Sequence, residues 1–595
     1  MTDYPFKTAL VALNAQYIHT GLGVRSITAY VKRELNYDIT LLEYTINHHE
    51  RSMLEGLYQS NADLYLFSCY IWNIEIILRL ARNLRQLRPA ALIGIGGPQA
   101  GYQDESYLLD HPQVDFILHG EGEAIVCRLL RLLRNGQSFF ACPGLTFRKD
   151  AGIISNPPPP PLSMDKLAFA YPDMDALDHR IIYYESMRGC PHMCSYCTSS
   201  IERGVRKRSL PLVFTDLFVF LEHMVPQVKW VDRTFNCDPD RALKIWKWLS
   251  AHDNGVTNFH FELAGEGLND EALAFLADVR PGLFQFEVGI QSTHSATLSE
   301  IDRPANLPHL FSQIRCLLSP GNIHIHLDLI AGLPYENFEC FQKSFNEVYA
   351  LLPHQFQLGF LKVLPGSKMA KMADSYALVY SHNAPYEVLS TNWLPYEQLV
   401  ILHGVADMVN TYYNSARYAH IVACLLSFFS DPFSFYQLLS EHFQSAAQGI
   451  PVSQIGYYEI LYTFMCRQGI TITEKMQWLT KYDLLLHEKP RKRPSWVLVD
   501  LTQKYRKEIQ AFYKNPANIA AYLPEYEQGS SLLIERTSHM EIFPFHPETG
   551  VNESFAALFN YKRRDILGRA HTHLFPLQML TDGYANEINA AKMHE

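Results

Sequence analysis

The chain has 595 residues and 11 cysteines, a formal net charge of -10 at pH 7 and a sequence pI near 6.2. That length exceeds what one hydrophobic core organises and predicts about three domains. The acidic balance argues against an extensive nucleic-acid surface, and no stretch approaches the ~18 apolar residues of a membrane span. The opening MTDYPFKTALVALNAQYIH has no basic region followed by an apolar run, so no export signal is expected and the scattered cysteines read as reduced thiols of a cytoplasmic protein.

Residues 1–150 alternate short apolar runs with segments of helical period. Strands are predicted at Thr8–Asn14, Ile39–Tyr44, Leu64–Tyr70, Ala91–Gly96 and Phe116–His119. Between them the clearest helix is Ile74–Leu87, where Ile74, Ile77, Leu78, Ala81, Leu84 and Leu87 share one face. Such alternation predicts βαβ units in a Rossmann-like parallel sheet, with a ligand beyond the carboxyl ends of the strands. The residues after those ends include Gln16–Gly23, Ser68, Gly96-Gly97 and His119-Gly120-Glu121-Gly122-Glu123. Glycines there permit close backbone approach to a ligand or serve turn geometry alone.

Five consecutive prolines, Pro157–Pro161, mark a stiff linker assigned to residues 151–178. An apolar strand at Arg180–Ser186 then leads into Met187-Arg188-Gly189-Cys190-Pro191-His192-Met193-Cys194-Ser195-Tyr196-Cys197. Cys190, Cys194 and Cys197 have C-x3-C-x2-C spacing. A 4Fe–4S cube takes four ligands, so three thiolates in one loop leave an iron open for a substrate. The alternatives are a zinc site with His192 as fourth ligand, or a disulfide loop.

Over residues 179–390 strands are predicted at Lys229–Thr234, Asn258–Leu263, Leu283–Ile290, Ile323–Ile330 and Phe356–Leu364, with helices such as Asp238–His252 and Asp270–Val279 between them. Their carboxyl ends carry Asp232, Glu262, Glu287, Gln291, Asp328, Gly332-Leu333-Pro334 and Leu364-Pro365-Gly366, where barrels of this kind gather function. Residues 391–595 read as a mostly helical domain, with amphipathic segments at Tyr396–Tyr413 and Ala419–Leu439.

The cysteine loop, with its aromatic Tyr196, resembles the signature of the radical S-adenosylmethionine (SAM) enzymes. The resemblance implies a partial (β/α)6 barrel. It also implies a 4Fe–4S cluster on Cys190, Cys194 and Cys197, and reductive cleavage of SAM to a 5′-deoxyadenosyl radical fed by a reduced flavodoxin- or ferredoxin-type donor. In that family Tyr196 packs on the adenine side, Asp232 holds the SAM amino group, Glu287 and Gln291 contact the ribose, and Gly332, Pro334 and Leu364 line the adenine. Asp328 is assigned to the same SAM pocket.

A Rossmann-like domain before such a loop resembles the cobalamin-binding branch of the family. That likeness assigns His19, Gly21, Ser68, Gly96, Gly97, Gly120 and Glu121 to cobalamin. The D-x-H-x-x-G motif of methionine synthase-type domains is incomplete here, because Asn14–Gly23 lacks its aspartate. His19 therefore stands as a cobalt ligand or as a plain loop residue. The implied activity is methyl transfer to, or rearrangement of, an unidentified small-molecule substrate. The alternatives are a methylthiotransferase with a second cluster on Cys69, Cys127 and Cys142, or a non-catalytic iron–sulfur and cobalamin sensor.

Overall fold

The computed structural model describes residues 6–103, 106–150, 152–201, 204–447, 449–489, 492–526, 534 and 536–581. The chain divides into two units, the first made of Met1–Ile323, Asp328–Phe341 and Gly359–Tyr396 and the second of His324–Leu327, Gln342–Leu358 and Glu397–Glu595.

In the first unit, β1 (Thr8–Asn14), β2 (Thr40–Thr45), β3 (Leu64–Ser68), β4 (Leu92–Gly96) and β5 (Phe116–Leu118) pair in parallel in the order β2-β1-β3-β4-β5. All seven residues of β1 are buried, as a strand covered on both faces requires. Ala9, Val11 and Leu13 pack towards α2 (Glu50–Ser60) and α3 (Ile74–Leu87). Leu10 and Ala12 pack towards α1 (Leu22–Leu35) and α5 (Gly122–Arg134). The period of two along the strand thus distributes side chains to two helical layers. α4 (Tyr107–Asp110) is a single turn. Strand order reverses between β1 and β3, which makes their carboxyl ends the topological switch point where such sheets bind ligands. Two antiparallel strands, β6 (Leu145–Lys149) and β7 (Gly152–Ser155), extend the sheet beyond β5. They lack the βαβ rhythm and were not expected from the sequence.

β8 (Ile181–Tyr184) opens the second sheet. A short antiparallel ribbon, β9 (Met187–Arg188) with β10 (Arg206–Lys207), brackets the cysteine loop. α6 (Leu210–Glu222), β11 (Gln227–Trp230), α7 (Pro239–Ala251), β12 (Asn258–Leu263), α8 (Asp270–Ala277), β13 (Phe284–Gln291), α9 (Ser295–Glu300), α10 (Leu307–Leu318), β14 (His324–Ala331) and β15 (Gln355–Phe360) follow. The sheet order is β15-β14-β13-β12-β11-β8. No bond closes β8 onto β15 in that order, so this is an open barrel of six strands.

Alternation on β13 shows what the barrel does. Phe284, Phe286, Val288 and Ile290 are buried, whereas Gln285, Glu287, Gly289 and Gln291 on the other face are only partly covered. The apolar face is the core under the helices; the polar face is an inner wall left open. α7, α8 and α10 each begin at an Asx cap, Asp238, Asn269 and Asn306, whose side chains accept from Arg241 N, Ala272 N and His309 N.

The next helix is α11 (Phe338–Tyr349), and α12 (Lys368–Lys371) and the ribbon β16 (Val379–Tyr380)–β17 (Val388–Ser390) close the first unit. The C-terminal unit contains α13 (Tyr396–Met408), a π-helical turn (Val409–Asn414), α14 (Ala419–Leu426), α15 (Pro432–Ala447), α16 (Gln454–Arg467), α17 (Glu474–His487), α18 (Arg506–Lys514) and α19 (Pro516–Tyr522). It is mostly helical, as expected. The segment Ala419–Leu439 is two helices, because Pro432 starts a new one at a position where its missing N–H costs nothing. An antiparallel sheet, β18 (Ser538–Phe543), β19 (Phe555–Arg564) and β20 (Ala570–Pro576), adds to the expected helices. It packs Phe543, Ala557, Phe559 and Ala570 on Trp478, Tyr482, Leu485 and Leu486 of α17. No helix among the described residues is long and apolar enough to cross a membrane.

Candidate cofactor site at two sets of strand ends

The cysteine loop is braced from several sides. Ser195 N donates to Ile301 O (3.0 Å), Met369 N to Ser195 O (2.8 Å) and Cys197 N to Cys194 O (3.1 Å). Gly189, with φ +94°, crosses so close to Gly204 that a Cβ would stand 2.0 Å from its carbonyl oxygen. No cysteine forms a disulfide. Cys190 Sγ lies 3.4 Å from Thr234 Oγ1, and the Arg303 guanidinium donates to Cys194 Sγ (3.5 Å) and Gly289 O (2.7 Å). Arg303 also feels Cys190, and Tyr196 interacts with both Cys194 and Cys197. Burial drives the Tyr196 phenol up, against the pull of Arg303. Three reduced thiols sharing these partners, with one guanidinium to offset thiolate charge, fit a cluster held by three cysteines.

The sequence reading placed Asp232 at the SAM amino group. The strand ends at Trp230 rather than Thr234, and Asp232 is fully buried beyond it. Its carboxylate accepts from Ser186 N (2.7 Å), Met187 N (3.0 Å) and Ser186 Oγ (2.6 Å). Burial pushes its pKa up to about 7 despite those bonds. These bonds hold the chain that enters the cysteine loop.

Glu287 faces the inner wall beside Glu262, its register partner on β12. His260 Nε2 lies 3.3 Å from Glu287 Oε2 and Lys229 Nζ 3.9 Å from it. Burial raises the Glu262 pKa to about 7, with Arg233 pulling down and Glu287 pushing up; Lys229 and Asp328 act on it in turn. Gln291 sits at the end of β13 with φ +72°, a conformation costly for a residue with a side chain and one that clusters at functional sites. A Cβ on Gly289 would meet the Gln291 amide at 2.1 Å, so the glycine makes room for that side chain, and Arg303 would lie in ordinary contact at 3.5 Å. Gly332 (φ +89°) packs against Val388, and Thr297 Oγ1 fixes the segment by donating to Pro334 O (2.9 Å). Leu364 O accepts from Ser367 Oγ (2.7 Å), two residues before the Met369 brace to Ser195.

At the other sheet, His19 sits in the loop after β1. Ile181 N donates to Ile18 O (2.7 Å), and the His19 ring lies edge-on to Tyr183 at 5.7 Å. Burial, and then Lys229, lower its pKa, which keeps the imidazole neutral. Gly21 N donates to Glu43 Oε1 (2.8 Å). The Ser68 hydroxyl shares a hydrogen bond with Tyr70, whose ring stacks on Trp72 at 4.4 Å and 11°. Trp72 is 44% exposed and Tyr17, which Arg180 covers at 4.4 Å, is 66% exposed. Exposed flat rings at the switch point fit a large planar ligand. A Cβ on Gly97 would stand 2.8 Å from Cys69 O, and one on Gly96 would meet the Leu118 side chain at 3.2 Å. Glu121, at the cap of α5, pairs with Arg206 and with Arg188 (3.4 Å) and accepts from Leu162 N (3.1 Å), next to Gly120 at φ +93°.

The two sets of strand ends address each other. Arg233 acts electrostatically on both Glu262 and Tyr70, Tyr70 on Tyr183, and Lys229 on His19. Sequence reasoning missed Arg303 and Lys229, and it placed Thr234 and Tyr70 at strand ends without giving them a role. Each is an ordinary residue in its own segment and gains meaning only through the fold.

Three family models match the chain. They are a B12 binding domain over residues 8–130, the Radical SAM superfamily over 184–348, and a protein of unknown function (DUF4080) over 374–559. The 2-(S-pantetheinyl)-carbapenam-3-carboxylate methyltransferase of Streptantibioticus cattleyicolor is 24% identical over 339 residues, 53% of this chain and 49% of that protein. The cobalamin-dependent radical SAM methyltransferase TokK of Streptomyces tokunonensis is 25% identical over 404 residues, 64% of this chain and 57% of the relative. The chain thus spans about half the length of these relatives. The radical SAM methyltransferase TsrM of Kitasatospora setae, solved with cobalamin and a [4Fe-4S] cluster bound, shares the fold with a TM-score of 0.52 at 15% identity, over 64% of this chain and 76% of that one. Along its length, then, this chain joins a B12 binding domain, a radical SAM domain and a DUF4080 region.

Proposed function

We propose that this protein is a cobalamin-dependent radical SAM enzyme that transfers a methyl group to a carbon of a small-molecule substrate. The observation that carries this reading is that the loop after β1, at the B12-domain switch point, is bonded to the strand that leads into the cysteine loop: Ile181 N donates to Ile18 O (2.7 Å), Thr20 Oγ1 to Ile181 O (3.0 Å) and Arg180 to His19 O (3.3 Å). When bound, the cluster and cobalamin supply a reducing electron for SAM and a carrier for its methyl group.

The chain's own residues hold these groups in place. Cys190, Cys194 and Cys197 hold the cluster, and Arg303 offsets thiolate charge through its bond to Cys194. Asp232 acts on the cluster by holding Ser186 and Met187, which reassigns it from SAM contact to positioning. Glu287, Gln291 and Asp328 line the SAM side of the inner wall, with Gly332, Pro334 and Leu364 on the adenine side. Tyr70, Trp72, Ser68 and the His19–Gly21 loop receive cobalamin. The stacked rings of Tyr70 and Trp72 offer that ligand a flat apolar face. A reduced flavodoxin- or ferredoxin-type protein of the cytoplasm delivers the electron.

A methylthiotransferase needs three thiols together for its second cluster. Cys69 is buried in the core on one face of the N-terminal sheet, and Cys127 and Cys142 are in the core on the other. This supports the methyltransferase reading. The test is anaerobic protein loaded with cobalamin, SAM and reductant: 5′-deoxyadenosine should accumulate. An intact cluster that yields none would instead favour the sensor.

A further inference from the structure

Arg188 precedes the first cluster cysteine by two residues and is gripped by three carboxylates. Its guanidinium bonds Glu123 Oε1 (2.7 Å) and Oε2 (3.2 Å), Glu185 Oε2 (2.8 Å) and Glu121 Oε2 (3.4 Å). Glu185 lies beside β8, whereas Glu121 and Glu123 open α5 of the B12 domain. Glu123 is 3% exposed and also accepts from Ser26 Oγ of α1 (2.6 Å). Across the ribbon, Arg206 is the register partner of Arg188 and takes the other Glu121 oxygen, while Leu162 of the linker donates to Glu121 and accepts from Arg206. The run Gly120-Glu121-Gly122-Glu123 therefore spends both carboxylates on arginines of the cysteine ribbon. Burial alone would push Glu123 up, but Arg188 outweighs it and keeps the carboxylate ionised. One rigid ribbon is thus tied to the first turn of α5, where the helix dipole also favours anions.

We propose that Arg188 and Arg206, held by Glu121 and Glu123, are positioning residues that fix the cysteine loop relative to the ligand end of the B12 domain. The proposal rests on the methyltransferase reading, since a methyl group passing between two cofactors requires their separation to be set. A misplacement of about 1 Å costs about 100-fold in such steps. Cleavage of SAM at the cluster needs only the barrel and is indifferent to that separation.

The test uses Arg206→Glu, Glu121→Arg and the double charge swap in the full-length chain. With both cofactors loaded and a chemical reductant, two products are measured. 5′-Deoxyadenosine reports cluster chemistry; S-adenosylhomocysteine reports methyl delivery. Arg206→Glu should keep its iron, bind cobalamin and make 5′-deoxyadenosine within about 2-fold of the parent, while S-adenosylhomocysteine falls about 100-fold in both single variants. The swap should recover most of that loss. If Glu121→Arg loses cobalamin and the swap fails to restore it, Glu121 is a cobalamin contact and the proposal is wrong. Unchanged product ratios in both single variants would also overturn it. A second readout needs no cofactor. In calorimetry of the apo-protein, Arg206→Glu should lower the melting temperature and the swap should restore it; the same melting temperature in all three contradicts the tie. Should the parent make neither product, the functional reading fails while the calorimetry still decides the tie.

Discussion

The two sheets of the first unit carry glycines at corresponding strand ends, and they carry them for different reasons. Gly97, after β4, has φ +96°, and its missing Cβ leaves room for the backbone of Cys69. Gly289, near the end of β13, leaves room for the side chain of Gln291. One glycine is spent on the crossing of two loops and the other on a site. Strand-end glycines thus show where a chain approaches something closely, and only the neighbour's identity says whether that something is scaffold or chemistry.

The contrast can be broken or sharpened by substitution. The largest effect belongs to the cluster thiols: Cys194→Ala should reduce 5′-deoxyadenosine to background, measured anaerobically with dithionite and SAM. Gly189→Ala should follow closely, because a Cβ there meets the Gly204 carbonyl and the loop cannot close; iron analysis should show most of the cluster lost. Gly289→Ala should displace the Gln291 amide and lower the rate of SAM cleavage about 10-fold, the low end for loss of a partner around a metal site, with little change in melting temperature. Gly97→Ala should do the reverse. It should cost about 1–3 kcal/mol of stability by denaturant titration and leave the iron content intact. Equal stability losses for both glycines would remove the distinction.

The smallest effect is a pH dependence. Burial raises the Glu262 carboxyl to about 7 in the folded chain from its ordinary value of 4.5. A carboxyl raised on folding contributes stability that is complete below about pH 4.5 and is lost as pH climbs through about 7. Glu262→Gln should therefore flatten the part of the stability profile that falls across that window. A profile with unchanged slope would show that Glu262 titrates normally.

Much of this was legible in the sequence because it is local. The C-x3-C-x2-C spacing, the strand Asn258–Leu263 and the helix Ile74–Leu87 depend on near neighbours, and both elements lie where their periodicity puts them. What escaped depends on distance along the chain. Arg303 reaches Cys194 across 109 positions, and Arg188 reaches Glu123 across 65. Asp232 looked like a strand-end ligand because the strand was extended by four residues; the turn after Trp230 redirects its carboxylate onto Ser186. The β18–β20 sheet escaped because its strands alternate weakly: β19 buries five successive residues, Ala556–Asn560.

The most direct test of the central claim is elemental and spectroscopic. Protein purified anaerobically with cobalamin supplied should contain about four irons and one cobalt per chain, and the cobalamin spectrum should change when SAM and reductant are added. Iron without cobalt would contradict the assignment of the N-terminal sheet, and one zinc with no iron would contradict the radical chemistry as a whole.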